Sequence, residues 1–296
     1  MRRLQADLLL LFAAAIWGLA FVFQKSAMSH IEPMTFIAAR SAVAALALAP
    51  LALFERRRAG RPARSGLAAT AGTGATLFFL GAVFQQQGLV WSTVTNTGFV
   101  TALYVVITPL IAWGLAGRRP LLIVWPAIAL SFVGTWLLGG GSFGAVAHGD
   151  LLVAIGAIFW AGHVVLTAQA SAFARPLAFT CLQFAGVAVI ASVGAAMAET
   201  VTLGGLVAAA PAIAYVGLLS SALAFSILVF ALEQSTPAEA AIIASTETVF
   251  AALAAYLLIG ERLGATGWIG AALILAGVLL VQLAPLLRPA DHRAGS

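Results

Sequence analysis

The sequence predicts an all-helical integral membrane protein: ten transmembrane helices arranged as two inverted five-helix repeats. Three observations predict it. The 296 residues are 62% hydrophobic and only 8% charged, with a mean hydropathy of +1.05, whereas a soluble domain carries about 25% charged residues. Landmarks recur at a spacing of 143: Asp7-Leu8-Leu9 as Asp150-Leu151-Leu152, Trp17 as Trp160, Pro33 as Pro176, Phe36 as Phe179, Ser92-Thr93 as Ser235-Thr236, Trp125 as Trp268 and Gly134 as Gly277. Finally, the basic residues are distributed unequally between alternate loops.

Apolar stretches of about 20 residues read as spanning helices, because lipid offers backbone groups no partner outside the helix. Ten fit, at about 6–24, 34–54, 67–89, 95–115, 121–139, 150–170, 177–198, 209–232, 238–259 and 265–285. Residues 1–142 hold the first five and residues 143–296 the second five with a short tail. Five is odd, so the second copy enters from the opposite face and the repeats are inverted. The Gly-rich stretch 139–149, free of Lys and Arg, is the natural linker.

Charge supports the same topology. Arg2, Arg3, Arg56, Arg57, Arg58, Arg61, Arg64, Arg118, Arg119, Arg175, Arg288 and Arg293 fall on one side, against Lys25 and Arg262 on the other. Twelve against two is a positive-inside signal that places both termini in the cytoplasm. The same placement assigns the basic excess to topology and anionic lipid headgroups, and excludes a nucleic-acid partner. Arg2-Arg3 before an apolar run imitates a signal peptide, but no small-residue cleavage site closes the run and its counterpart at 150–170 is internal. It reads as a retained first helix. Cys181 is the single cysteine, so neither a disulfide nor a cysteine metal cluster is expected.

Candidate site residues follow from depth. Trp17 and Trp160 lie about 16 Å into their spans, half of a ~30 Å core, although indole prefers the interface. They suit the walls of a substrate cavity, or plain helix packing. Trp125 and Trp268, near span ends, read as interfacial anchors. Glu247 is the carboxylate at the centre of a span, within Ser245-Thr246-Glu247-Thr248, and aligns with Tyr104 in the first repeat. An intramembrane ionisable group is a functional hypothesis by default: proton coupling or recognition of a substrate ammonium, against a structural carboxyl bonded to Ser or Thr. Arg40, aligned with Gln183, could snorkel, pair with an acidic group, or meet a substrate carboxylate. His163, one turn beyond Trp160, suits binding, proton relay or an interhelical hydrogen bond. Of Gln85, Gln86 and Gln87 with Thr95, Asn96 and Thr97, some are expected to face a vestibule. Phe21 and Phe99 complete an aromatic cavity wall or serve packing.

Trp17-Gly18, Arg40 and Ile259-Gly260-Glu261-Arg262-Leu263 together resemble the repeat pattern of the drug/metabolite transporter superfamily, and within it the ten-helix EamA-type carriers, over residues 7–285. The first half departs from that pattern, with Gly117-Arg118-Arg119-Pro120 where the second has Gly260-Glu261-Arg262-Leu263. Because one copy lacks the acid, Glu261 is expected to end a helix rather than couple transport. The resemblance implies a secondary active exporter of small organic metabolites, amino acids or aromatic-bearing compounds, in a bacterial-type inner membrane. It would work by alternating access around a midplane site, driven by a proton or an exchanged solute. A multidrug or cation efflux carrier is the alternative. No Walker A pattern occurs, so this chain is not expected to hydrolyse ATP. Neither H-E-x-x-H nor G-x-S-x-G occurs, so no catalytic residue, cofactor or metal is expected. A passive channel would want rings of like polar groups, where this chain has scattered single ones.

Overall fold

Apolar helices account for the described chain, as a lipid environment requires of backbone groups. The computed structural model describes residues 3–59, 66–117, 122–138, 148–262 and 264–283. Arg2, Arg61, Arg64, Arg118, Arg119, Arg288, Arg293 and 139–147 of the expected linker lie outside the described residues, as do the side chains of Arg56, Arg57 and Arg58.

The first half runs α1 (Arg3–Ala27), α2 (Pro33–Ala59), α3 (Leu67–Trp91), α4 (Val94–Thr101), α5 (Tyr104–Ala116) and α6 (Val124–Leu138). The second runs α7 (His148–Ala170), α8 (Pro176–Ala198), α9 (Leu203–Ala208), α10 (Ala210–Ala214), a π-helical stretch Tyr215–Ala224, α11 (Phe225–Ala231), α12 (Pro237–Ala244), α13 (Glu247–Ile259) and α14 (Ala265–Leu283). Among the described residues, eight helical segments are long and apolar enough to cross a membrane. The other two expected spans, at α6 and α14, are shorter apolar helices. They pack on each other through Gly134, where a Cβ would meet Gly270 O at 2.6 Å, and its repeat counterpart Gly277, where one would meet Ala127 O at 2.9 Å. Small residues of this kind let helix backbones approach closely.

Two expected spans are broken halfway along. α4 gives way to α5 at Ala102-Leu103, and α12 to α13 at Ser245-Thr246, positions 143 apart. Tight i→i+3 bonds replace the α pattern at both, as in Val105 N to Ala102 O (3.0 Å) and Thr248 N to Ser245 O (3.1 Å). In the second break, hydroxyls supply donors to the carbonyls: Ser245 Oγ to Ile242 O (2.6 Å) and Thr246 Oγ1 to Ile243 O (2.7 Å). The locally polar run around Glu247 therefore serves a break in the helix.

Carboxylates fasten helix ends in reciprocal pairs. Glu199, after α8, accepts from Met34 N, Thr35 N and Thr35 Oγ1, each at 2.7 Å, at the start of α2. Glu55, near the end of α2, accepts from Leu177 N (3.3 Å) and Ala178 N (2.9 Å) at the start of α8. Each satisfies orphan N–H groups and meets the positive end of a helix dipole. Glu199→Ala is expected to destabilise by roughly 1.5–3 kcal/mol, the range for hydrogen bonds to charged groups, and Glu55→Ala by less, its bonds being fewer and longer. Thermal unfolding in detergent checks the order.

Glu261 does follow a helix end, the left-handed Gly260 cap of α13 (φ 73°). It also caps a second helix, accepting from Val94 N, Thr95 N (both 3.2 Å) and Thr95 Oγ1 (2.6 Å) at the start of α4. Beside it, Lys25 donates to Leu89 O (2.7 Å), Val90 O (3.1 Å) and Ser92 O (2.9 Å) at the end of α3. Trp125 and Trp268 are exposed at the starts of α6 and α14.

Contacts between the halves also recur in exchanged form. Ser92 Oγ donates to Asp150 Oδ1 (3.0 Å), which also accepts from Asn96 Nδ2. The counterpart residues, Asp7 and Ser235, lie near each other at the other end, where the Ser235 hydroxyl has no hydrogen-bond partner among the described residues. There Arg3 bridges Asp7 (4.0 Å) and Glu239 (2.7 Å), the counterpart of Asn96.

Candidate functional site: a cavity at the helix breaks

A cavity lies between the two halves. Trp17 and Phe21 of α1, Arg40 of α2, Gln85 of α3 and Tyr104 of α5 line it from the first half. Trp160 and His163 of α7 and Glu247 of α13 line it from the second. These eight residues weighed from sequence thus share one space, whereas Gln86, Gln87, Thr95, Asn96 and Thr97 do not line it. Phe99 does not line it either. Thr101 supplies the cavity-facing side chain of α4 instead, and two residues along a helix is a turn of about 200°, which points Phe99 away.

Aromatic faces form one side. Phe78, fully buried, has Trp160 (4.9 Å between centroids), Phe184 (4.9 Å) and Phe225 (5.0 Å) set edge-on around it. Phe225 in turn lies between the two repeat-related tryptophans, 5.0 Å from Trp17 and 6.1 Å from Trp160. Trp17 is held by a bond from its Nε1 to Ser220 O (3.1 Å). That carbonyl belongs to the π-helical stretch, a geometry frequently found at functional sites. Trp160 rests on Gly81, where a Cβ would come within 3.0 Å of the indole.

The polar side is less complete. Arg40, 3% exposed, does not snorkel. Its guanidinium lies over Phe36 (5.7 Å) and Phe78 (5.4 Å). Among the described residues no carboxylate comes within 4.0 Å of it, and its Nε has no partner. Glu247, 7% exposed, is met by Tyr104, its own repeat counterpart. His163 shares a 2.9 Å bond between Nε2 and Gln183 Oε1, while its Nδ1 is unpartnered. Gln183 is the repeat counterpart of Arg40, so one copy braces a ring where the other presents a charge. Trp160 Nε1 and Gln24 Oε1 are also unpartnered. Gln85 Nε2 donates to Thr101 Oγ1 (2.9 Å).

A family model matches this chain twice, over residues 4–140 and 147–283, and its description is EamA-like transporter family. The chain belongs to the EamA-like transporter family. An uncharacterized transporter of Archaeoglobus fulgidus is 29% identical to this EamA-like transporter over 293 residues, covering 95% of this chain and 87% of that one. The uncharacterized transporter YwfM of Bacillus subtilis is 27% identical, covering 94% of each. A solved crystal structure superposes with a TM-score of 0.77 at 16% identity, over 97% of this chain and all of the other, which shows a shared fold.

Sequence reasoning missed much of the EamA-like transporter's cavity wall. Phe225 and Leu228 of α11, Ala240 and Ala244 of α12, and Gln24 belong to it. Thr101 and Ala244 stand 143 apart at the two breaks, so the repeat alone could have pointed to them. Phe225 carries no such signal, being one of 18 phenylalanines with Ala82 as its counterpart.

Proposed function

We propose that the protein is a secondary active carrier that exports a small organic metabolite, an amino acid or aromatic-bearing compound, by alternating access. Its ten helices, two of them short, would form two inverted five-helix repeats, 1–142 and 143–296. It would be a multi-pass protein of a bacterial-type inner membrane with both termini in the cytoplasm, coupled to a proton or an exchanged solute. The supporting observation is the cavity itself: it takes walls from both halves, and both helix breaks open onto it. Discontinuous helices at a repeat interface are where secondary transporters bind substrate. Export, rather than uptake, rests on the family resemblance.

Counterflow in proteoliposomes tests the reading. Preloaded unlabelled solute should accelerate uptake of labelled solute, because a carrier returns faster loaded than empty. Solute flux without trans-acceleration would indicate a channel. The multidrug or cation-efflux alternative draws on the aromatic walls and Glu247, but the buried Arg40 guanidinium opposes a cation.

A further inference from the structure

Arg40 and Glu247 both line the cavity from buried positions, but the fold treats them differently. Glu247 is met by Tyr104, and a carboxyl has a second answer to an apolar surrounding, since a bound proton makes it neutral. A guanidinium has no such answer and stays charged. Among the described residues Arg40 has no carboxylate within 4.0 Å, and its Nε has no partner. Its contacts are the faces of Phe36 (5.7 Å) and Phe78 (5.4 Å). Such cation–π contact recovers only part of what withdrawing a charge from water costs. The unmet demand in the cavity is for negative charge.

Arg40 cannot leave to satisfy it. Glu199 fastens the start of α2 and Glu55 ties its far end to α8. At Arg40 itself the helix lies so close to the π-helical stretch that a Cβ on Gly217 would meet Arg40 O at 2.9 Å. A second donor stands on the same aromatic platform. Trp160 Nε1, which can only donate, is buried without a partner, and its indole packs on Phe78 at 4.9 Å. A guanidinium fork and an indole N–H suit the oxygens of one acid group. The rings of Trp17, Trp160 and Phe225 suit a flat apolar body beside it.

We propose that the cavity takes an aromatic monoanion that carries no amine, its acid oxygens held by Arg40 with Trp160 Nε1. This rests on the carrier reading of the same cavity and narrows its cargo. An amino acid brings as much positive charge as negative, so the surplus at Arg40 would remain. A dianion would bring one charge too many. The unpartnered Gln24 Oε1 on the same wall is an uncharged acceptor, suited to a hydroxyl or N–H of the body.

The test uses four solutes with one ring in common: 3-phenylpropionate, its neutral amide 3-phenylpropanamide, phenylalanine and phenethylamine. Full-length protein in detergent is assayed by thermal shift. Phenylpropionate should stabilise wild type at concentrations at least about tenfold below those needed for the other three, the tenfold corresponding to about 1.4 kcal/mol. Arg40→Gln should abolish the preference for acid over amide. Arg40→Lys, which keeps the charge and loses the fork, should retain part of it. Equal stabilisation of wild type by phenylpropionate and by its amide or phenylalanine overturns the proposal, and needs no variant to fold. Response to none of the four overturns it, as does an Arg40→Gln protein that keeps the preference. Counterflow separates this inference from the carrier reading, with 2-phenylethanesulfonate as the anion because the neutral acid of phenylpropionate crosses lipid unaided. Trans-acceleration by phenylalanine or phenethylamine but not by the sulfonate leaves the carrier and removes the anion. The thermal-shift preference without trans-acceleration by any solute leaves the acid site and removes the carrier.

Discussion

Joining Ser92 to Asp150, as a cysteine pair in a Cys181→Ala background bridged by a short bifunctional thiol reagent, is expected to reduce counterflow to background. Reduction should restore it. The same is expected for Asp7 with Ser235 at the other end. In the native protein Ser92 and Asn96 hydrogen-bond to Asp150 at one end, and an Arg3–Glu239 ionic bridge stands beside Asp7 at the other, each worth on the order of 1 kcal/mol net, and up to about 3 where a charge takes part. Interactions of that size break and reform in a cycle on the time scale of domain motion; a covalent bridge does not. A carrier must open both ends in turn, so closing either should stop the whole cycle. Substantial flux with one bridge in place would mean that the pathway bypasses that end, against alternating access through this cavity. Matched single-cysteine variants, treated alike, separate bridging from loss of the native side chains.

Gly18→Val is expected to remove most folded protein, and Gly18→Ala to destabilise it measurably. An added Cβ would sit 2.5 Å from Phe250 Cβ, 2.6 Å from Glu247 O and 2.7 Å from Ala251 N. Two of those three atoms are backbone, so no rotamer change relieves the clash and α1 must part from α13. Overpacking costs typically about 1–3 kcal/mol, and a backbone obstacle belongs at the upper end or beyond. Gly72, in α3 with nothing within 4 Å of an added Cβ, is the control. Gly72→Ala should be neutral or slightly stabilising, since Ala is the better helix former. Fluorescence-detected size exclusion and thermal unfolding measure both. The repeat counterpart of Gly18 is Ala161, fully buried, so the demand for glycine comes from the α1–α13 contact and not from the repeat.

The repeat made much of the site legible. A fixed spacing of 143 ranked polar and aromatic residues by depth, and depth was enough to gather Trp17, Trp160, Arg40, His163 and Glu247. The mismatches within the repeat were informative too. Tyr104 and Glu247 align in sequence and meet in space; Gln183, aligned with Arg40, braces His163. What stayed hidden was local backbone geometry. An apolar run such as 95–115 carries no mark of where it stops being one helix, because the residues of the first break, Ala102 and Leu103, suit a continuous helix equally well. The π-helical stretch that carries Ser220 O, the acceptor for Trp17, is equally silent in composition. Phe78 and Phe225 could not be chosen from among like residues, since only the fold decides which rings meet. Arg40 was read as snorkelling, paired or substrate-facing; it is buried against Phe36 and Phe78, with no carboxylate among the described residues within 4.0 Å.

Glu261 has one last consequence. It ties the start of α4, and Lys25 ties the end of α3, at one end of the molecule. Their positions in the other copy hold Arg118 and Ala168, so the duplication is not equally fastened. In an alternating-access cycle, such inequality cannot drive net movement, because every passive step is reversible. It would set which opening the empty protein rests in, by about tenfold in population for each 1.4 kcal/mol by which the contacts differ between the two openings. The two faces would then present different apparent affinities for one solute, with the thermodynamic drive unchanged. Two side chains would thus make a nearly symmetric machine kinetically one-sided.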